Sequence, residues 1–197
     1  TDQRRIADYY TAYMDEAGIE KRGLAAIDAD LKAIDAIADT KQLSRALGAQ
    51  VIADVHPLNA TNYDTEHLFG VFVSQGLTQP DTTMAYVMQG GLGMPNREYY
   101  LAADKDMQAN RAKYEAYVAK LLELSGTQDA TKKAKDIVAL ETKIARAHAN
   151  VVDTSDVHKA NNRWPRADWA KKAPGIDWPT FFEAASLSGQ PIVYAWQ

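Results

Sequence analysis

The sequence predicts a mainly α fold, a multi-helix domain carrying one small antiparallel β-hairpin, and three observations support this. Most apolar residues recur at the three- and four-residue spacing of amphipathic helices. Only two stretches, 68–75 and 83–89, alternate with period two. Between the second of these and the next helix lies Gly90-Gly91-Leu92-Gly93-Met94-Pro95, a sharp corner that suits neither helix nor strand.

Taken in order, Ile6, Tyr9, Tyr10, Tyr13, Met14 and Ala17 form the stripe of a first helix ending near Gly18, and the tyrosines read as core. Leu24, Ile27, Leu31, Ile34 and Ile37 mark a second helix, with Asp28, Asp30, Lys32 and Asp35 on its solvated sides. Thr40 is the expected N-cap of a third, running through Leu43, Leu47 and Val51 with Gly48 as a weak spot. His56 sits at its C-terminal edge, and Asn59-Ala60-Thr61 matches the glycosylation triplet in a polar loop.

In the first alternating run Phe69, Val71 and Val73 face one way, Leu68 and Phe72 the other. In the second, Met84, Tyr86 and Met88 oppose Ala85 and Val87. A reversal containing Pro80-Asp81 makes an antiparallel hairpin the simplest pairing, and one of its faces must lie on helices because a lone hairpin is marginal. The corner then turns the chain through Pro95 into Arg97-Glu98-Tyr99-Tyr100 and a long helix, so hairpin and corner together span 67–101. Gly91-x-Gly93 is not a dinucleotide fingerprint, since Asn96 occupies the third glycine position and no βαβ unit surrounds it.

Met107, Tyr114, Val118 and Leu121 trace the next helix, closed by Ser125-Gly126, and Thr127 is the expected cap of another that runs from Ala130 past Ile144 and His148 to Val151. His148 reads as a hydrogen-bonded core residue. Residues 153–162 read as loop, Asp168-Trp169 opens a short helix, and Asp177 caps one through Phe181 and Phe182. Ile192 to Tyr194 is a strand with no identifiable partner.

A chain of 197 residues with 46 % apolar content can bury one core, so one domain is expected, with at most a subdomain. The net charge of −4, without a basic cluster interleaved with aromatics, argues against nucleic acid. No run is long and apolar enough for a membrane segment, and zero cysteine excludes disulfides and cysteine-held metals. The chain starts at Thr1 and stops inside an apolar run, which reads as a fragment of a longer polypeptide.

The run Gln89-Gly-Gly-Leu-Gly-Met-Pro-Asn-Arg-Glu-Tyr-Tyr-Leu101 closely resembles the Gly-Leu-x-Leu-Pro-x-Arg-x-Tyr-Tyr signature of neprilysin-like zinc metallopeptidases, which include endothelin-converting enzymes and bacterial oligopeptidases. The structural motif in this run is Gly90, Gly91, Gly93, Pro95, Arg97, Tyr99 and Tyr100. Supporting matches follow the family's order: Phe72-Val-Ser-Gln75, Leu140-Glu-Thr-Lys-Ile-Ala145, Asn162 and Ile176-Asp-Trp-Pro-Thr-Phe-Phe182. The chain departs from the pattern at Asp156-Val157 and Asn161-Asn162, where relatives carry Asp-Pro and Tyr-Asn.

The resemblance implies that residues 1–197 are the helical N-terminal cap of a zinc endopeptidase acting on short peptides. Zinc and the catalytic residues would then belong to the remaining part of the same polypeptide, and the cap would limit substrate access. The absence of cysteine points to a bacterial source, with a periplasmic or secreted location expected and the cytoplasm as alternative. The other reading is a stand-alone helical module that binds peptides or partners without protease activity.

The residues themselves agree that this chain lacks the chemistry. His56, His67, His148 and His158 include no His-Glu-x-x-His pair, and there is neither a Gly-x-Ser-x-Gly elbow nor a Walker loop, so no catalytic and no metal-ligating residue is assigned. Arg97 and Asn162 are the candidate substrate contacts. Arg97 either meets a peptide carboxylate or pins the corner through backbone carbonyls or the carboxylate of a helix, and Asn162 either contacts substrate or anchors its loop.

Overall fold

The computed structural model describes residues 1–51, 54–55 and 63–196. His56 and the Asn59 triplet lie outside the described residues. The chain divides into two compact units, Thr1–Ala38 and Asp39–Gln197.

The first unit holds α1 (Asp2–Tyr13), α2 (Glu16–Arg22), one 3₁₀ turn (Gly23–Ala26) and α3 (Asp28–Asp35). The single helix expected up to Gly18 is broken, because the Asp15 carboxylate accepts from the Gly18 N–H at 3.0 Å and starts α2. A second correction concerns burial. Ile6, Tyr9 and Tyr13, expected in a core, are 69 %, 77 % and 69 % exposed. An isolated amphipathic helix displays its stripe unless another apolar surface covers it, and α2 and α3 bury no side chain either.

The second unit opens with α4 (Thr40–Ala49), whose N-cap is Asp39 rather than Thr40: the Asp39 carboxylate accepts from the Gln42 N–H at 2.7 Å. Two short strands, β1 (Asp54–Val55) and β2 (Tyr63–Asp64), pair antiparallel. Then come β3 (Phe69–Gln75), β4 (Thr83–Gln89), α5 (Glu98–Leu101), α6 (Lys105–Leu124) and α7 (Ala130–Ala147). The chain closes with α8 (Val151–Ser155), α9 (Val157–Ala160), β5 (Asn161–Pro165), α10 (Trp169–Lys172), α11 (Trp178–Ala184) and β6 (Ile192–Trp196). The N-cap of α7 is Asp129, not Thr127.

The hairpin forms as read, with Val71 opposite Val87 and Phe72 opposite Tyr86, but it is half of a larger sheet. Four strands lie in the order β3-β4-β6-β5, β6 running parallel to β4 and antiparallel to β5. Residues 153–162, expected as loop, form α8, α9 and the start of β5. Asn150 and Asp156 cap these two short helices, each too brief to show a periodic stripe. No helix among the described residues is long and apolar enough to cross a membrane.

One sheet face carries the main core. Ala85, Val87, Val193 and Ala195 pack with Trp169, Trp178, Phe181, Phe182 and Leu187, and with the half-buried Phe69 and Val71. The rings meet tilted or edge to face, as between Trp178 and Phe181 with centroids 5.2 Å apart. Helix α4 lies against α11 through two small residues one turn apart. The buried Ser44 hydroxyl accepts from the Asp177 N–H at 2.9 Å, and a Cβ on Gly48 would sit 2.3 Å from the Phe181 carbonyl oxygen. The apparent weak spot is therefore a close-approach site.

Replacing Gly48 with alanine forces α4 away from α11 and is expected to destabilise the protein by about 1–3 kcal/mol. A lowered urea midpoint, converted to free energy through the denaturant slope, checks it, and an unchanged midpoint would show that the two helices separate without cost.

Candidate functional site

The corner after β4 is shaped from below by three side chains. On α7, Glu141 accepts from the Tyr100 hydroxyl at 2.9 Å and from the Tyr114 hydroxyl at 3.0 Å, one phenol on each carboxylate oxygen. The Tyr100 oxygen in turn accepts from the Met94 N–H at 3.0 Å, tying the corner's backbone to the same cluster. A Cβ on Gly93 would lie 1.9 Å from the Tyr114 hydroxyl, so no larger residue fits there without moving that ring. Burial, then the Glu141 charge, pushes the Tyr114 phenol up to about 12; burial also raises Tyr100. Both phenols therefore stay protonated as donors. Met94, Tyr100 and Ala145 form the small core under the corner.

The corner's other side is fastened to the C-terminal end of α7. Arg97 donates from Nε to the Ala145 carbonyl at 3.3 Å and from Nη1 to Glu98 at 3.1 Å. The Ala149 N–H donates to the Gln89 side-chain oxygen at 3.1 Å. His148 Nε2 lies 2.9 Å from the Gly90 carbonyl, and since a carbonyl only accepts, Nε2 carries the proton and Nδ1 keeps its lone pair. Burial lowers the His148 pKa from 6.5, with the nearby Arg97 charge acting in the same direction, so the ring is neutral. Gly91, at φ +80, makes the turn between these ties.

These elements enclose a cavity of about 660 Å3. Its floor is the second sheet face, where Phe72 stacks on Tyr86 at 4.8 Å and Trp196 meets both rings edge-on at 5.6 Å. Corner residues from Gly90 to Arg97 form one wall, and His148, Ala149 and α8 form another.

Of the two substrate-contact candidates, the structure brings only Arg97 to this cavity. Asn162, on β5, donates to the Ala195 carbonyl at 3.2 Å and the Lys159 carbonyl at 3.0 Å, knitting the sheet's end together. Pro95 lines the cavity, whereas Tyr99 accepts through its carbonyl from Arg111 at 2.9 Å and packs on the small core. Sequence reasoning missed the Tyr100–Glu141–Tyr114 cluster. Tyr100 and Glu141 stood in separate motifs, and Tyr114 read as one more residue of a helical stripe.

Comparison with known proteins decides the family. The family model described as Peptidase family M13 matches residues 1–196. The chain belongs to that family. Endothelin-converting enzyme 1 of Bos taurus is 26 % identical over 208 residues, covering 97 % of this chain and 26 % of the relative. Endothelin-converting enzyme-like 1 of Mus musculus is 29 % identical over 118 residues, covering 59 % of this chain and 15 % of the relative. Among solved structures, the Mycobacterium tuberculosis zinc metalloprotease Zmp1 in complex with inhibitor superposes at TM-score 0.79 and 28 % identity, covering all of this chain and 29 % of that one. PepO of Lactobacillus rhamnosis, at TM-score 0.66 and 16 % identity over 89 % of this chain and 26 % of that one, shares the fold. This M13 chain thus spans between 15 % and 29 % of the length of these relatives.

Two outcomes follow for the M13 corner. Tyr114→Phe leaves one Glu141 oxygen without its donor and is expected to cost about 1–3 kcal/mol of stability in urea denaturation; Tyr100→Phe, which also strips the Met94 N–H, should cost more. For His148 the folded state favours the neutral ring, so its contribution is complete above the unfolded pKa of 6.5 and is lost as pH falls through the lowered folded value. Stability measured against pH should show that acid-side loss in the parent protein and less of it in His148→Gln.

Proposed function

We propose that this chain is the N-terminal, non-catalytic part of a zinc metalloendopeptidase that hydrolyses short peptides, and that it forms a lid limiting substrate access. The observation that carries the reading is the family match, which runs over residues 1–196, together with relatives named as zinc metalloproteases and endothelin-converting enzymes. The described residues do not fit zinc. Among the described residues no three His, Asp or Glu side chains are grouped to hold a metal ion, and His148 spends its Nε2 on a carbonyl. No step of the hydrolysis is assigned to this chain.

The lid role draws support from rigidity. Steric exclusion needs walls that do not give way, and here an aromatic core backs one sheet face while a bonded carboxylate fixes the corner. The cavity between them, with Arg97 on its wall, is where a peptide would touch this part of the molecule.

The test uses the full polypeptide. It should cleave a decapeptide, lose that activity to a chelator and regain it with zinc. Gly93→Val, which displaces Tyr114, should raise cleavage of casein relative to the decapeptide by loosening the lid. Absence of peptide cleavage would remove the peptidase reading, and cleavage without zinc dependence would remove its zinc part. Unchanged size discrimination in a folded Gly93→Val protein would remove the lid.

A further inference from the structure

Three ties fasten the start of the corner to the α7–α8 connection, and they converge on His148 and Ala149. His148 Nε2 donates to the Gly90 carbonyl at 2.9 Å, the Ala149 N–H donates to the Gln89 side-chain oxygen at 3.1 Å, and the Gln89 amide nitrogen donates back to the Ala149 carbonyl at 3.5 Å. Arg97 stands beside them, bonded to the Ala145 carbonyl earlier on α7 and to Glu98. Both His148 and Arg97 line the cavity, and the ring is half-buried. Its Nδ1 has no hydrogen-bond partner among the described residues.

From this arrangement we infer that His148 is an acid-operated latch: proton uptake by its ring opens the ties between the corner and the α7–α8 connection and separates two walls of the cavity. The reason is where the new charge falls. A proton on Nδ1 creates a donor with nothing to bond and sets an imidazolium beside the Arg97 guanidinium, so two cations share a half-buried site. The C-terminal end of α7 favours a cation, but Arg97 already holds that place on the Ala145 carbonyl. The surrounding charges do not relieve the pair. Glu98 is bonded to Arg97, Glu141 to two phenols, and Asp153 of α8 to Lys159 of α9. Arg146 of α7 adds positive charge, His67 lies against Gly90 through its carbonyl, and the α8 residues lining the cavity, Val151, Thr154 and Ser155, are uncharged. A ring that swings away from Arg97 escapes the conflict and surrenders the Gly90 bond. The latch is closed above the unfolded pKa of 6.5 and opens as pH falls through the lowered folded value. One consequence rests on the lid reading: a wider cavity admits longer peptides in acid.

Hydrogen–deuterium exchange of the full polypeptide, followed from about pH 8 to about pH 5 and corrected for the intrinsic pH dependence of exchange, tests the latch. Protection should fall together in residues 89–97 and 148–155, by up to about tenfold per pH unit, since one proton drives the opening. The core segment 178–187 should keep its protection, which separates local opening from global unfolding and shows that each variant is folded. His148→Gln offers the Gly90 carbonyl an N–H donor that does not titrate and should flatten the response, whereas His67→Gln should leave it in place. Over the same range, cleavage of a long unstructured polypeptide relative to a decapeptide should rise in the parent protein and stay constant in His148→Gln.

Constant protection in the two segments, a fall shared by residues 178–187, or a fall that survives His148→Gln overturns the inference. A fall abolished by His67→Gln assigns the response to the other histidine and overturns it as well. Protection that drops while the cleavage ratio stays constant keeps the latch and removes the lid; a ratio that changes with no drop in protection does the reverse.

Discussion

The second unit depends on how one carboxylate is satisfied. Glu141 sits half-buried on α7, where an ionised group must be hydrogen-bonded or it opposes folding. Both of its oxygens receive a phenol, one from α5 and one from α6, so a single bonding requirement fixes three helices relative to each other. The constraint propagates outward. The Tyr100 oxygen receives the Met94 N–H, and the Tyr114 hydroxyl occupies the space a side chain at position 93 would need. The corner's path is set by these contacts rather than by glycine's freedom alone. Arg97, carried on that corner, then reaches the last turn of α7 and closes the loop of contacts.

The sheet is the second organiser, and its two faces do different work. The face bearing Val87 and Val193 is sealed by four large rings of α10, α11 and the residues between them, contacts that area burial and edge-to-face geometry both favour. The opposite face carries rings too: Tyr86 and Tyr194 are buried among them, and the half-buried Phe72 and Trp196 border a cavity. Insertion of β6 between β4 and β5 is what makes both faces wide enough. Without it, Trp196 would be missing from the cavity floor and Val193 and Ala195 from the core.

What the sequence revealed divides along the range of the physics involved. The hairpin, its register of faces and the corner were legible because alternation, turn residues and glycine–proline chemistry are local signals. The four-stranded sheet was not. Asn161-Asn162-Arg163-Trp164-Pro165 is polar and ends in proline, and its pairing with residues 27 to 35 positions further on leaves no local trace. Thr40 lost its capping role to the adjacent Asp39, and the N-cap of α7 lies two residues past Thr127, at Asp129, whose side chain makes no cap bond; boundaries within one or two residues are what several capping residues in a row leave ambiguous. The stripe of α1 showed that a helix forms and was silent on what covers it. For the candidate site, Arg97 was legible as a residue with two possible jobs, while Tyr114's bond to Glu141 depended on a crossing of α6 and α7 that no spacing encodes.

Those two jobs of Arg97 turn out to be compatible, and the reason lies in the side chain. A guanidinium is planar and presents five donors in fixed directions, so Nε and Nη1 can hold the Ala145 carbonyl and Glu98 while Nη2 has no partner among the described residues. A lysine ammonium is a single point with three donors and no fork; it would have to choose between tying the corner to α7 and meeting a ligand. Structural use also prepares the residue for binding, because a side chain already held by two bonds has less rotamer freedom left to lose when a third partner arrives. The bonds that pin the corner would also orient the remaining donor, so the structural role shown here does not exclude a functional one.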